Sequence, residues 1–159
     1  MKLSHALLSR REALALVGAT SLGIGLATAA EAPPEVLIHR DPSCGCCGAW
    51  AEHVRRAGFA VRIDETGDLN SVKQRLGVPA DLISCHTAEV QGYIVEGHVP
   101  AGAIQRLLRE RHQAAGLAVP GMPVGSPGME GGAPETYEVV LFGPHGQRTF
   151  ARYKGSREI

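Results

Sequence analysis

Cys44-Gly45-Cys46-Cys47 places three of the chain's four cysteines within four residues. Their position along the chain limits the fold more than any other feature. Before them, Val36-Leu37-Ile38-His39 is an apolar run bounded by Pro33-Pro34 and Asp41-Pro42, the pattern of a short buried strand. After them, Ala49, Trp50, His53, Val54 and Ala57 recur at helical spacing, and Gly58 ends the helix. The thiols therefore stand at a strand-to-helix turn. A helix N-terminus there lowers thiol pKa, and the thiolate is both the nucleophile and the soft-metal ligand.

The remaining elements follow in alternation. Phe59-Ala60-Val61-Arg62-Ile63 predicts a second strand, and Leu69, Val72, Lys73 and Leu76 a short second helix stopped by Gly77 and Pro79. Val90 to Val95 predicts a third strand that turns at Glu96-Gly97-His98, and Ala101 to Arg111 a third helix with Ile104, Leu107 and Leu108 on one face. A loop rich in glycine and proline runs from Gly116 to Pro134. Tyr137 to Phe142 and Arg148 to Tyr153 then form a hairpin whose loop reads as longer than the tightest type. The order β-α-β-α-β-α with a C-terminal β-hairpin predicts an α/β, thioredoxin-like sandwich, with strands one and two parallel. With only 4% aromatic residues, its core must be built mostly from Val, Leu, Ile and Ala.

Residues 1–30 read as a signal peptide. Lys2 and Arg10-Arg11 precede an uncharged apolar stretch from Ala13 to Ala30 that closes on small residues. Ser9-Arg10-Arg11-Glu12-Ala13-Leu14 resembles a twin-arginine signal, although Ala13 stands at the usual phenylalanine position. An uncleaved membrane anchor is the rival, since about 20 apolar residues span a bilayer. Both place residues 31–159, a single domain, outside the cytoplasm, in the periplasm. That domain is nearly neutral and has no basic block or charge run. It gives no footing for nucleic acid, nor for a membrane once the signal is cleaved.

Cys44 and Cys47 have the C-x-x-C spacing of disulfide oxidoreductases and of chelating pairs. Cys46 disturbs both readings: a third thiol traps mixed disulfides, and adjacent Cys46 and Cys47 do not easily join Cys44 on one tetrahedral zinc. Several thiolates from one loop suit a cluster in which sulfur bridges metals, and a polynuclear Cu(I) site fits best. Cys85, in Ser84-Cys85-His86-Thr87, precedes the third strand; a thioredoxin-like layout brings it opposite the other three, with His86 beside it. Cys85 as a small buried hydrophobe is the plain alternative. So is a pair of structural disulfides, Cys44–Cys47 and Cys46–Cys85, in a module that meets a partner through its methionine loop. A thiol–disulfide oxidoreductase, with Cys44 attacking and Cys47 resolving, is the enzymatic alternative. Met122 and Met129 are candidate thioether ligands. His39 and His98 could reach the same rim but read better as surface or satisfied histidines, and Trp50 as core.

The segment Asp41-Pro42-Ser43-Cys44-Gly45-Cys46-Cys47-Gly48-Ala49-Trp50 closely resembles the signature of the CopG-like metal-binding proteins. Ser84 to Ala88, Gly92 to Pro100 and Gly116 to Pro123 are similar to the same family, so the likeness spans about Val36 to Gly155. The resemblance implies a periplasmic copper-resistance protein of thioredoxin-like fold. It also implies a cysteine-bridged, four-copper cluster on Cys44, Cys46, Cys47 and Cys85, with interconversion of Cu(I) and Cu(II). Copper ions and other periplasmic copper-handling proteins are the expected partners. Redox turnover and simple sequestration of copper both remain open.

Overall fold

The computed structural model describes residues 32–159, and the expected signal segment lies outside them. Strand β1 (Glu35–Arg40) runs into helix α1 (Gly45–Arg56), and β2 (Ala60–Glu65) returns parallel to β1 with Val36 opposite Val61. Along α1, Cys47, Trp50, Ala51 and Val54 are buried at helical spacing. Ala49, expected on that stripe, is exposed, and Ala51 takes its place. Helix α2 (Leu69–Leu76) starts at Asp68, whose carboxylate accepts the Ser71 N–H at 3.1 Å, and ends at Gly77 in the left-handed conformation.

Three expectations are corrected in the second half. The run Val90 to Val95 is not one strand. It folds as a hairpin of β3 (His86–Val90) and β4 (Tyr93–Glu96), because Gln91 and Gly92 both take positive φ and make a two-residue turn. The region from Gly116 is not all loop: after α3 (Ala101–Glu110), β5 (Gly116–Ala118) pairs parallel to β4. A Cβ at Gly116 would meet the Ile94 carbonyl oxygen at 1.8 Å, so only glycine permits this approach. Finally, β6 (Thr136–Gly143) and β7 (Gly146–Lys154) are joined by just Pro144 and His145, a tighter turn than expected. A two-residue β8 (Arg157–Glu158) completes an eight-stranded sheet of order β2-β1-β3-β4-β5-β6-β7-β8, three strands more than predicted.

Side chains alternate across each strand, so the sheet has two distinct faces. On one face, α1 and α3 bury Trp50, Val54, Ile104 and Leu107 against Val36, Ile38, Ala88, Val95 and Leu117. Each Val, Leu or Ile among them contributes roughly 1.5–3 kcal/mol by leaving water. The other face carries a smaller cluster, with Leu76, Val78 and Leu82 against Ile94, Ala118 and Phe142. No helix among the described residues is long and apolar enough to cross a membrane.

Candidate metal centre

The cysteine loop is fixed from β1. Arg40 Nη1 donates to the Cys44 carbonyl at 3.0 Å, and the Cys44 N–H donates to the Asp41 carbonyl at 3.0 Å. Hydrogen bonds from the Ser43 side chain and backbone hold the exposed Asp41 carboxyl below its usual range. Cys44 is the N-cap of α1 without a side-chain cap bond, and Cys46 and Cys47 lie in the first turn. The first backbone N–H groups of such a helix have no partner inside it.

Cys85 enters from the loop before β3, and the four sulfurs lie within 4.8 Å of one another. Cys44 and Cys47 form a disulfide, while Cys46 and Cys85 are free thiols. Cys46 Sγ is 3.5 Å from Cys44 Sγ and 3.8 Å from Cys85 Sγ, and Cys47 Sγ is 3.7 Å from Cys85 Sγ. Of the two disulfides considered from the sequence, Cys44–Cys47 is present and Cys46–Cys85 is not. Cys85 is half-buried rather than enclosed in the core.

Two imidazoles complete a second donor group with Cys85. His98, 0% exposed, places Nε2 3.0 Å from Cys85 Sγ, and its Nδ1–H donates to the Pro127 carbonyl at 2.8 Å. A carbonyl only accepts, so the neutral ring keeps its lone pair on Nε2, aimed at the sulfur. His86 Nδ1 lies 3.3 Å from the same sulfur. The buried His86 Nε2 has no well-formed hydrogen bond among the described residues. Burial holds both imidazoles below their usual pKa. His86 is well below, with His98 and Lys73 adding to the effect. Both are therefore neutral at neutral pH, the form that binds metals. Burial, with Cys46 as neighbour, pushes the Cys85 thiol up to about 12. A cation is what makes several thiolates tolerable at such short range. The donor set of soft sulfur and imidazole suits copper or zinc.

The loop after β5 closes over these donors. Gly128 is packed so tightly that a Cβ would come within 2.8 Å of the Cys46 carbonyl oxygen and the Trp50 nitrogen. Met129 follows it, half-buried, whereas Met122 is 51% exposed. Trp50 is more than core: its ring lies 4.4 Å from the His86 ring and its Nε1–H donates to the Val99 carbonyl at 2.9 Å. His39 is a satisfied histidine, as expected: its ring nitrogens lie 2.8 and 2.9 Å from the Asp64 and Glu89 carboxylates. His98 is the residue that sequence reasoning undervalued. The available signal was its place directly after a sharp turn, since Gly97 has φ +72° against Ser84.

Two solved structures of copper resistance protein CopG, forms 1 and 2, are each 48% identical to this chain, with TM-scores of 0.72. The matches cover 77% and 76% of this chain and 99% and 98% of theirs. The chain belongs to the CopG family of copper resistance proteins. A family model described as a protein of unknown function, DUF411, matches residues 82–129. That segment runs from just before Cys85 through His98 to Met129. No curated protein matches the chain significantly.

Proposed function

We propose that this protein binds copper as its cargo on the thiolates of Cys44, Cys46, Cys47 and Cys85, as a polynuclear Cu(I) cluster in which sulfur bridges metals. The carrying observation is the convergence of all four sulfurs, from two separate loops, within 4.8 Å. His86 and His98 add imidazole nitrogen, which accepts Cu(II) as well as Cu(I) and so supports interconversion of the two states. Met129, in the covering loop, is a further candidate ligand, and Met122 a more distant one. The Cys44–Cys47 disulfide must be reduced before the full set of thiolates exists. The relatives' name, copper resistance protein, agrees with this reading.

The thioredoxin-like assignment of the domain, residues 31–159, is supported by the parallel β1–β2 pair, the antiparallel β3–β4 hairpin beside β1, and cysteines at the start of α1. Residues 1–30 act as the export signal in this reading, which places the protein in the periplasm beside other copper-handling proteins. Mass analysis of the protein from cells tests this, because retention of residues 1–30 would remove the argument for cleavage.

The decisive experiment is an anaerobic Cu(I) titration of the reduced protein. More than one Cu(I) per chain is expected, with thiolate-to-copper charge-transfer absorption, and Cys85→Ser should lose most of it. Sulfurs about 3.8 Å apart also suit one tetrahedral ion at about 2.3 Å. A single ion with zinc preferred at equal supply would therefore overturn the reading. The disulfide at the start of α1 favours a second reading, thiol–disulfide exchange by Cys44 and Cys47. Insulin reduction that survives Cys46→Ala, together with undiminished copper tolerance in cells carrying that variant, would establish it instead.

A further inference from the structure

Behind the cysteines, on the α2 face of the sheet, lies a buried ion pair that copper binding does not itself explain. Lys73 from α2 is 3% exposed and Glu96 from β4 is 0% exposed, with Lys73 Nζ 2.5 Å from Glu96 Oε1. Lys73 also donates to Thr87 Oγ1 at 2.9 Å, and that hydroxyl donates to Glu96 Oε2 at 2.7 Å. A buried pair of this kind is weak as a stabiliser, because apolar replacements of similar volume are often as stable or more so. Its hydrogen bonds give it another role.

The third bond of Glu96 supplies one. Its Oε1 accepts the Ser84 backbone N–H at 2.6 Å, one residue before Cys85. Ser84 Oγ donates in turn to the Gly121 carbonyl in the covering loop. Along the chain, Glu96 is two residues from His98, and the intervening Gly97 N–H donates to the His86 carbonyl at 3.0 Å. One carboxylate thus ties together the loop that carries Cys85, the turn that carries His98 and the strand that starts at His86.

We propose that Glu96, fixed by Lys73 and Thr87, is a positioning residue that sets where Cys85 stands against the other three sulfurs and His98. The proposal rests on the reading of Cys85 as a copper ligand, but its first test needs no metal. The discriminating pair is Lys73→Met/Glu96→Gln and Lys73→Met/Glu96→Leu. Both lack the buried charges, but only the glutamine keeps an oxygen for the Ser84 N–H. In a Cys46→Ser background with the Cys44–Cys47 disulfide intact, Cys85 is the one free thiol. Its alkylation by iodoacetamide should be near the parental rate in the glutamine variant and about fivefold faster in the leucine variant, the factor expected from losing a neutral hydrogen bond. With Cys46 restored and the protein reduced, Cu(I) affinity should follow the same split at similar thermal stability. Equal alkylation rates in the two variants would overturn the assignment. Should the leucine variant fail to fold, amide hydrogen exchange in the parent protein decides: a protected Ser84 N–H supports the clamp, and rapid exchange there refutes it. Failure of the wild-type protein to bind Cu(I) would instead defeat the copper reading and leave the alkylation result standing.

Discussion

Replacing Gly128 by alanine tests whether the covering loop is part of the metal centre or only lies near it. Gly128 has φ +88°, where a side chain costs about 1–2 kcal/mol. The added Cβ would also lie 2.8 Å from the Cys46 carbonyl oxygen and the Trp50 nitrogen, and 3.3 Å from His98 Nδ1. The first two are backbone atoms of α1 and cannot swing aside, so the loop must lift. Pro127, one residue earlier, then loses its 2.8 Å bond from His98 Nδ1, worth about 1 kcal/mol. The sum, about 2–3 kcal/mol, corresponds to a fall in melting temperature of about 10 °C for a domain of this size. Freed from Pro127, His98 no longer holds Nε2 towards Cys85, and Cu(I) affinity should fall about fivefold, the equivalent of one such bond. The assays are thermal unfolding of the reduced, metal-free protein and Cu(I) competition with a chromogenic chelator. Gly131→Ala is the control: φ is +126°, but nothing lies within 4 Å of its new Cβ. If the two variants melt within a degree or two of each other and bind Cu(I) alike, the loop is not coupled to the site and the reasoning fails.

Trp50→Phe should cost about 2–4 kcal/mol in urea unfolding, since it shrinks a fully buried side chain and strips the Val99 carbonyl of its donor; a loss below 1 kcal/mol would return Trp50 to ordinary packing. Burial is the main cause that lowers the imidazole pKa of His53, His86 and His98. Folded values below the unfolded one mean that the unfolded chain binds protons first on acidification, so stability present above about pH 6.5 should fall progressively below it; a flat urea midpoint between pH 7.5 and 5 would contradict this. Protein kept with the Cys44–Cys47 disulfide closed should bind fewer Cu(I) ions than reduced protein, as counted by metal analysis beside thiol titration. Equal loading of the two forms would show that those sulfurs are not ligands.

The parts of the fold that were legible in the sequence have strong local causes. Asp68 and Gly77 bracket α2 through a cap and a left-handed stop, and prolines bracket β1, so both elements lie where the pattern places them. The β3–β4 hairpin was hidden because its turn uses Gln91 at φ +46°, where asparagine or a second glycine would have signalled it, inside an otherwise continuous apolar run. Strand β5 is three residues long, too short for alternation to register within a glycine- and proline-rich stretch. At the site, the spacing of Cys44, Cys46 and Cys47 was visible, and Cys85 could be placed through the expected topology. The burial of His98 depends on a contact with Pro127, 29 residues on, which no local pattern encodes. Lys73 did leave a trace, as the one charged residue on the apolar stripe of α2, but its partner Glu96 lies on another element.

The chemistry of the four sulfurs then turns on charge. A buried Cys85 thiol whose pKa is pushed up to about 12 stays protonated in the metal-free site. Two routes remove the protons: oxidation, in which an external oxidant takes two electrons as Cys44 joins Cys47 and both leave the ligand set, and binding of several soft cations, whose charges would together offset those of the thiolates. Neutral His86 and His98 suit the second route, since they donate lone pairs without adding positive charge next to a cation. The same sulfurs can therefore be a closed disulfide with two free thiols or a metal-bridged group, but not both. On the proposed reading, the reductant that opens Cys44–Cys47 sets how much copper the protein can hold.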